Sequence, residues 1–263
     1  MTESLIGTIQ RLPPDDCVTL QELDGPNGKL RVSQHGQYRW LQMADASIQS
    51  LVDIRAPSRV LSPSVVLMLM GLAFTQGRSR LLNLGLGGGA IERCLRKDFP
   101  DLAVESVEVD SLVVAAAKEH FMLSDSQIVH EQDAERFIAN ASGLYDLVLC
   151  DLFFADQLAA CVERSSFFAD IKRCLSPGGV CVMNLLYTDQ HALVNALKAA
   201  RTHLPATWLI EIKGHQNVIA YFMHERSEDD AELQLACKQI LQTLDAEPLT
   251  FEWELASLPD RRP

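Results

Sequence analysis

The sequence predicts an α/β fold: a Rossmann-like, mostly parallel sheet of seven strands that closes on an antiparallel hairpin, preceded by a small N-terminal antiparallel β domain. Three observations predict it. From residue 80 onward, short apolar runs alternate with amphipathic segments of helical period, the pattern of successive βα units. A glycine-rich turn, GLGGGA over 85–90, stands between the first of these runs and the first helix. Residues 17–43 behave differently, as short alternating runs separated by Gly, Pro and Asn.

Taken in order, CVTLQEL, KLRVSQ and QYRWLQM read as three strands, with turns at Asp24-Gly-Pro-Asn-Gly28 and at His35-Gly36. Pro63 then opens an apolar stretch ending near Gly77, read as a buried helix with proline in its first turn. The sheet follows as RLLNLG, LAVESVEV, QIVHE, YDLVLCD and VCVMNLL. Helices near AIERCLRK, SLVVAAAKEHF, AERFIANA and SSFFADIKRCL intervene. In the last of these, Phe167, Ile171 and Cys174 share one face, and Ser176-Pro-Gly-Gly179 stops the helix. After a helix near HALVNALKAA, the runs TWLIEIK and VIAYFMH flank the turn Gly214-His-Gln-Asn217 and close the sheet as an antiparallel pair. A charged tail with one helix over 231–244 completes the chain. The expected division is 1–62 for the β domain, 63–226 for the Rossmann-like domain and 227–263 for the helical tail.

Composition narrows the function classes. With 35 acidic residues against 23 basic ones, the net charge is -12, which is unsuited to a polyanion, so no nucleic-acid partner is expected. The longest apolar run, 65–74, is interrupted by Gly71 and is about half the ~20 residues of a membrane span. No membrane partner is expected, and in the absence of a signal-like amino terminus the expected location is the cytoplasm. The seven cysteines show no C-x-x-C pair and no histidine at ligand spacing, so neither disulfides nor a metal site are expected. His120, His130, His191 and His203 read as structural, and Tyr187 as a loop residue.

The candidate site collects at strand ends. Glycines at 85, 87 and 88 let the chain turn sharply and let a ligand approach backbone N–H groups at a helix start. Glu108 ends the next strand, about 20 residues further on, where an acid accepts hydrogen bonds from ribose hydroxyls. Asp133 suits both a helix N-cap and an acceptor for an adenine amino group. Asp151 ends the fourth strand, where a carboxylate takes a proton from an attacking amine or holds a cationic group.

LLNLGLGGGA, SVEVD, the Asp133-Ala134 pair, YDLVLCD and LSPGGVCVMNL, in that order, resemble the polyamine aminopropyltransferase (spermidine synthase) family, within the class I S-adenosylmethionine-dependent methyltransferase fold. The likeness runs over about 28–224 and includes the front β domain. It implies that Gly85, Leu86, Gly87, Glu108, Val109, Asp133 and Ala134 hold the nucleoside of S-adenosylmethionine or its decarboxylated form. It also implies that Asp151 is the catalytic proton acceptor, and it makes a homodimer possible. The departures are informative. The family's G-G-G-D-G-G has its Asp, which helps hold the aminopropyl amine, at the position of Gly88. Its acidic loop after the fourth strand becomes Asp151-Leu-Phe-Phe-Ala-Asp156, and Ser64-Val65-Val66 stands for a Y-H/Q-E motif lining the amine site. Burying a diamine there without those groups costs several kcal/mol, which argues against spermidine synthesis itself. Leu152, Phe153 and Phe154 form an apolar lip instead.

The expected function is therefore a spermidine synthase-like transferase that moves a methyl or aminopropyl group from S-adenosylmethionine or decarboxylated S-adenosylmethionine to an undefined small-molecule acceptor, an amine or something less polar. The alternative is a non-catalytic nucleoside-binding or scaffold protein that retains the fold. A nicotinamide-dependent oxidoreductase also fits a glycine turn with Glu108, but not the closing hairpin.

Overall fold

The structure, a computed structural model, describes residues 5–25, 27–43, 48–154, 157–186, 190–212, 216–225, 230–249 and 253–259. Pro26 in the first expected turn, Asp156, Tyr187 and the Gly214-His215 part of the closing turn lie outside the described residues, as does the side chain of Phe154.

A short helix α1 (Leu5–Gln10) precedes a meander of four strands, β1 (Val18–Gly25), β2 (Gly28–His35), β3 (Tyr38–Met43) and β4 (Ile48–Asp53), paired in that order. The fourth strand extends the three expected from the alternation. Helix α2 (Pro63–Leu69) carries proline in its first turn and tightens into a 3-10 turn over Met70–Ala73. The main body alternates β5 (Arg80–Leu84), α3 (Ala90–Asp98), β6 (Ala103–Glu108), α4 (Ser111–His120), β7 (Ile128–Glu131), α5 (Ala134–Asn140) and β8 (Tyr145–Cys150). A small two-stranded element, β9 (Phe153–Phe154) with β10 (Gln157–Leu158), leads into α6 (Ser165–Cys174) and the long β11 (Leu175–Leu186). Then come α7 (Gln190–Arg201), β12 (Ala206–Glu211), β13 (Asn217–Met223), α8 (Asp230–Thr243) and β14 (Ala256–Leu258).

The sheet order is β14-β12-β13-β11-β8-β5-β6-β7. Strands β7, β6, β5, β8 and β11 pair in parallel, and β13 runs antiparallel to both β11 and β12. All seven expected strands are present, and β14 adds an eighth, antiparallel to β12 at the edge.

Helices cover both faces, so the central strands are apolar on both sides, as buried parallel strands must be. Alternation sorts their side chains. Leu147 and Leu149 of β8, Val180 and Val182 of β11, and Ile219 and Tyr221 of β13 join one core with α2, α3 and α8. Val148, Cys150, Cys181, Met183, Ala220 and Phe222 join the other, with α6 and α7. Tyr221 is fully buried, stacks on Phe74 at 4.5 Å and donates its hydroxyl to the Leu67 carbonyl.

The helix expected over 231–244 is α8, and its apolar face belongs to the first core: Leu233, Cys237, Ile240 and Leu244 are all buried there. Ile240→Ala removes buried methylenes from a site closed on all sides. A loss of about 2–5 kcal/mol is expected, read as a lower denaturant midpoint at unchanged slope.

The front sheet docks on α4. Leu30, Val32, Leu41, Met43 and Val52 form one cluster with Val113, Ala116 and Phe121. The Asn27 amide donates to Asp110 Oδ2 at 3.0 Å, and the Arg39 guanidinium donates to the His120 carbonyl at 2.6 Å. This docking lays β4 across the glycine turn. Among the described residues, no helix is long and apolar enough to cross a membrane.

Candidate active site

Parallel register brings the expected residues to one edge. Leu84 of β5 lies beside Val107 of β6 on one side and Cys150 of β8 on the other, while Glu108 lies beside Glu131 of β7. The next residues along these strands, Gly85, Val109, Gln132 and Asp151, therefore emerge together at the carboxyl ends, where open α/β sheets bind ligands. A cavity of about 850 Å³ lies there. Gly85, Leu86, Gly87, Glu108, Val109, Asp133, Ala134 and Asp151 all line it.

The glycine turn is shaped by sterics. Gly85, Gly87 and Gly89 have φ of +98°, +53° and +72°, a region costly to residues with a Cβ. A Cβ on Gly85 would strike the Asp151 carbonyl oxygen, and one on Gly87 would lie 2.7 Å from Ser50 Oγ. The turn is thus held between the end of β8 and β4 of the front sheet.

Glu108 braces this turn from β6. Its Oε2 accepts from the Leu86 N–H at 3.1 Å and its Oε1 from the Asp110 N–H at 3.0 Å. Burial pushes its carboxyl above the usual carboxylate range, and the backbone N–H groups of Asp110, Leu86, Gly87 and Val109 pull it back down. Asp133 is the N-cap of α5, with Oδ1 accepting from the Arg136 N–H at 2.9 Å, and it faces the same cavity. Both expected features of Asp133, cap and cavity position, coexist.

Asp151 forms the other end of the site. Its Oδ1 accepts from Asn184 Nδ2 at 2.9 Å, and Asn184 Oδ1 accepts from Asn217 Nδ2 at 2.8 Å. Asn217 therefore sets the amide of Asn184 so that its NH₂ faces the carboxylate. Burial pushes the Asp151 carboxyl up and the Asn184 hydrogen bond lowers it. Neither asparagine was singled out from the sequence. A polar residue within the apolar run VCVMNLL was the available signal for Asn184; Asn217 carried none, because its role depends on β13 pairing with β11.

The remaining lining is largely neutral. Among the described residues its carboxylates are Glu108, Asp110, Asp133 and Asp151, and Asp110 is taken by the Asn27 amide and the Leu112 N–H. Ile6, Leu61, Pro63, Val65, Leu152 and Phe153 contribute apolar surface, whereas Val66 is turned away into the core. Two members of the expected lip, Leu152 and Phe153, thus line the cavity. Among the described residues no group of three or more His, Cys, Asp or Glu is arranged to hold a metal ion.

Beneath the turn, Glu92 is buried and its Oε1 accepts from Asn83 Nδ2 at 2.7 Å and Ser106 Oγ at 2.6 Å. Burial pushes its carboxyl up, against these two hydrogen bonds. Arg93, also buried, donates to the Pro57 carbonyl at 2.6 Å and to the Gly88 carbonyl. Of the histidines, His130 meets Glu105 at 3.1 Å, and His203 meets Ser165 Oγ at 2.8 Å.

Comparison with known proteins agrees with the fold. Residues 82–183 match the methyltransferase domain family. The chain is 29% identical over 188 residues to a polyamine aminopropyltransferase of Chromobacterium violaceum, covering 68% of this chain and 72% of that protein. It is 27% identical over 201 residues to the human eEF1A lysine and N-terminal methyltransferase, covering 68% of this chain and 28% of that protein. Among solved structures, a probable spermidine synthase from Corynebacterium glutamicum superposes with a TM-score of 0.73 over 84% of this chain and 86% of that one, at 17% identity.

Proposed function

The chain has a spermidine synthase-like class I S-adenosylmethionine-dependent methyltransferase fold, and from this premise we propose that it is a transferase that alkylates the nitrogen of a small amine, using S-adenosylmethionine or its decarboxylated form. One observation carries the reading: Glu108, Asp133 and the glycine turn share a single cavity with a half-buried carboxylate, Asp151, oriented by an amide. The names of the relatives point the same way, since polyamines, lysine side chains and protein N-termini are all amines.

The residues fit the donor. Gly87 lines the cavity in a left-handed conformation that glycine adopts without strain, and Glu108 stands at the strand end where it can accept from ribose hydroxyls while still bracing Leu86. Asp133 keeps an oxygen beyond the one used by its cap. Bound there, the donor supplies an electrophilic carbon next to a sulfonium; the amine lone pair forms the new C–N bond, and the C–S pair leaves with sulfur.

Asp151 takes the proton released from the nitrogen. Its raised pKa makes it a better base than an exposed carboxylate, and Asn184 keeps Oδ1 occupied so that the second oxygen faces the acceptor. Apolar surface from Leu61, Pro63, Val65 and Phe153, with no second uncommitted carboxylate beside Asp151 among the described residues, suits an amine carried on an apolar body better than a dication. Most of the rate comes from holding nitrogen and carbon in line.

The test is transfer itself. Purified protein incubated with either donor and a panel of monoamines, diamines and short peptides is expected to give a mass gain of one methyl or one aminopropyl group on an amine, read by mass spectrometry. Binding of S-adenosylhomocysteine or methylthioadenosine with no transfer to any amine would favour the non-catalytic alternative.

A further inference from the structure

We propose that Ser50 of β4, set over Gly88 and backed by the buried Arg93 guanidinium, forms a subsite for the α-carboxylate of the amino-acid tail, so that this chain takes S-adenosylmethionine with its carboxylate intact. The inference rests on the nucleoside site proposed above and names which donor occupies it.

The first observation is the hydroxyl. Ser50 Oγ accepts from the Gly88 N–H at 2.7 Å and lines the cavity. With one of its two lone pairs used by Gly88, the hydroxyl keeps its proton to donate, and no acceptor among the described residues takes it. A hydroxyl proton left without a protein acceptor, at a cavity wall, can be donated to an anionic group on a ligand.

The second observation is charge. Arg93 donates to the Gly88 carbonyl from behind the turn, and it is 9% exposed. Burial lowers its pKa only to about 10, so the guanidinium stays charged at neutral pH. Its neighbour Glu92 turns its Oε1 away to Asn83 and Ser106 beneath the turn. At the Gly88 end of the turn this guanidinium is a nearby positive charge, which favours a carboxylate over the lone ammonium of a decarboxylated tail.

The third observation is space. A Cβ on Gly88 would lie 2.9 Å from Ser50 Cβ and 3.0 Å from Phe121 Cδ1, so no acidic side chain fits at this position to hold an ammonium. Among the other carboxylates of the described lining, Asp110 is held by Asn27 and Leu112, while the reading above gives Glu108 and Asp133 to the nucleoside and Asp151 to the acceptor nitrogen.

Calorimetric titration of the full chain with three ligands tests this: S-adenosylhomocysteine, its decarboxylated analogue, and methylthioadenosine, which has no tail. Wild type is expected to bind S-adenosylhomocysteine at least about tenfold tighter than either of the others, the scale of one hydrogen bond to a charge. Ser50→Ala is expected to remove most of that advantage while methylthioadenosine affinity stays unchanged, which also reports that the turn is still folded. Equal or tighter binding of the decarboxylated analogue, or equal weakening of all three ligands in Ser50→Ala, overturns the subsite and leaves the nucleoside site standing. Failure of all three to bind wild type overturns both.

Discussion

Asp151→Asn is expected to lower turnover by about 10²–10⁴-fold, the span typical of losing a positioned general base. The affinity for S-adenosylhomocysteine is expected to stay close to that of wild type. The substitution is nearly isosteric, and an asparagine oxygen can still accept from Asn184, so the end of β8 keeps its shape. What is lost is the ability to take a proton. If affinity falls together with turnover, Asp151 holds a ligand rather than moving a proton. The pH profile gives an independent reading. Burial holds the Asp151 carboxyl above the usual range near 4, so activity that needs the ionised form is lost as pH falls through that raised value. Asn184→Leu removes the hydrogen bond that lowers this pKa, so its acid limb moves further toward neutral pH. Rates across pH for the two proteins check the sign, and a limb that moves to lower pH would exclude Asp151 as the titrating base.

Gly85→Ala is expected to abolish nucleoside binding and destabilise the fold together. At φ +98° an alanine is strained by about 1–3 kcal/mol. Its Cβ would also strike the Asp151 carbonyl, which is backbone and has no rotamer to yield. Relief requires parting the ends of β5 and β8, which are tied where the Asp151 N–H donates to the Leu84 carbonyl at 2.9 Å. Gly36→Ala is the matched control: its φ is +56°, but nothing lies within 4 Å of the added carbon. It is expected to cost about 1 kcal/mol and leave ligand affinity unchanged. Paired chemical denaturation and calorimetry separate the two, and wild-type affinity in Gly85→Ala would show that the turn does not hold the nucleoside.

Much of the candidate site was legible because each member carries a local signature. A glycine run where a strand must give way to a helix, and acids at the last positions of apolar strands, are visible without knowing what lies beside them. The expected strands and helices agree with those observed to within a few residues, since both faces of the sheet are buried and the apolar runs are long. Strands β4 and β14 were missed for a shared reason. β4 has half-buried positions and weak alternation, and β14 is a three-residue edge strand, so tertiary pairing makes each of them a strand. The tail helix was placed correctly along the chain, but its buried stripe at Leu233, Cys237 and Ile240 reads as a core face only once the core is known.

By itself the sequence determined the α/β class and put Gly85, Glu108, Asp133 and Asp151 at the strand ends that line the cavity. These follow from periodicity and from backbone sterics, which act over a few residues and so leave their mark in short stretches of chain. Only the tertiary structure decided which groups meet them: Asn184 on Asp151 from 33 residues away, and Ser50 on Gly88 from 38. Those contacts depend on which strands become neighbours and on how the front sheet docks against α4, outcomes of long-range packing that no local pattern of residues encodes.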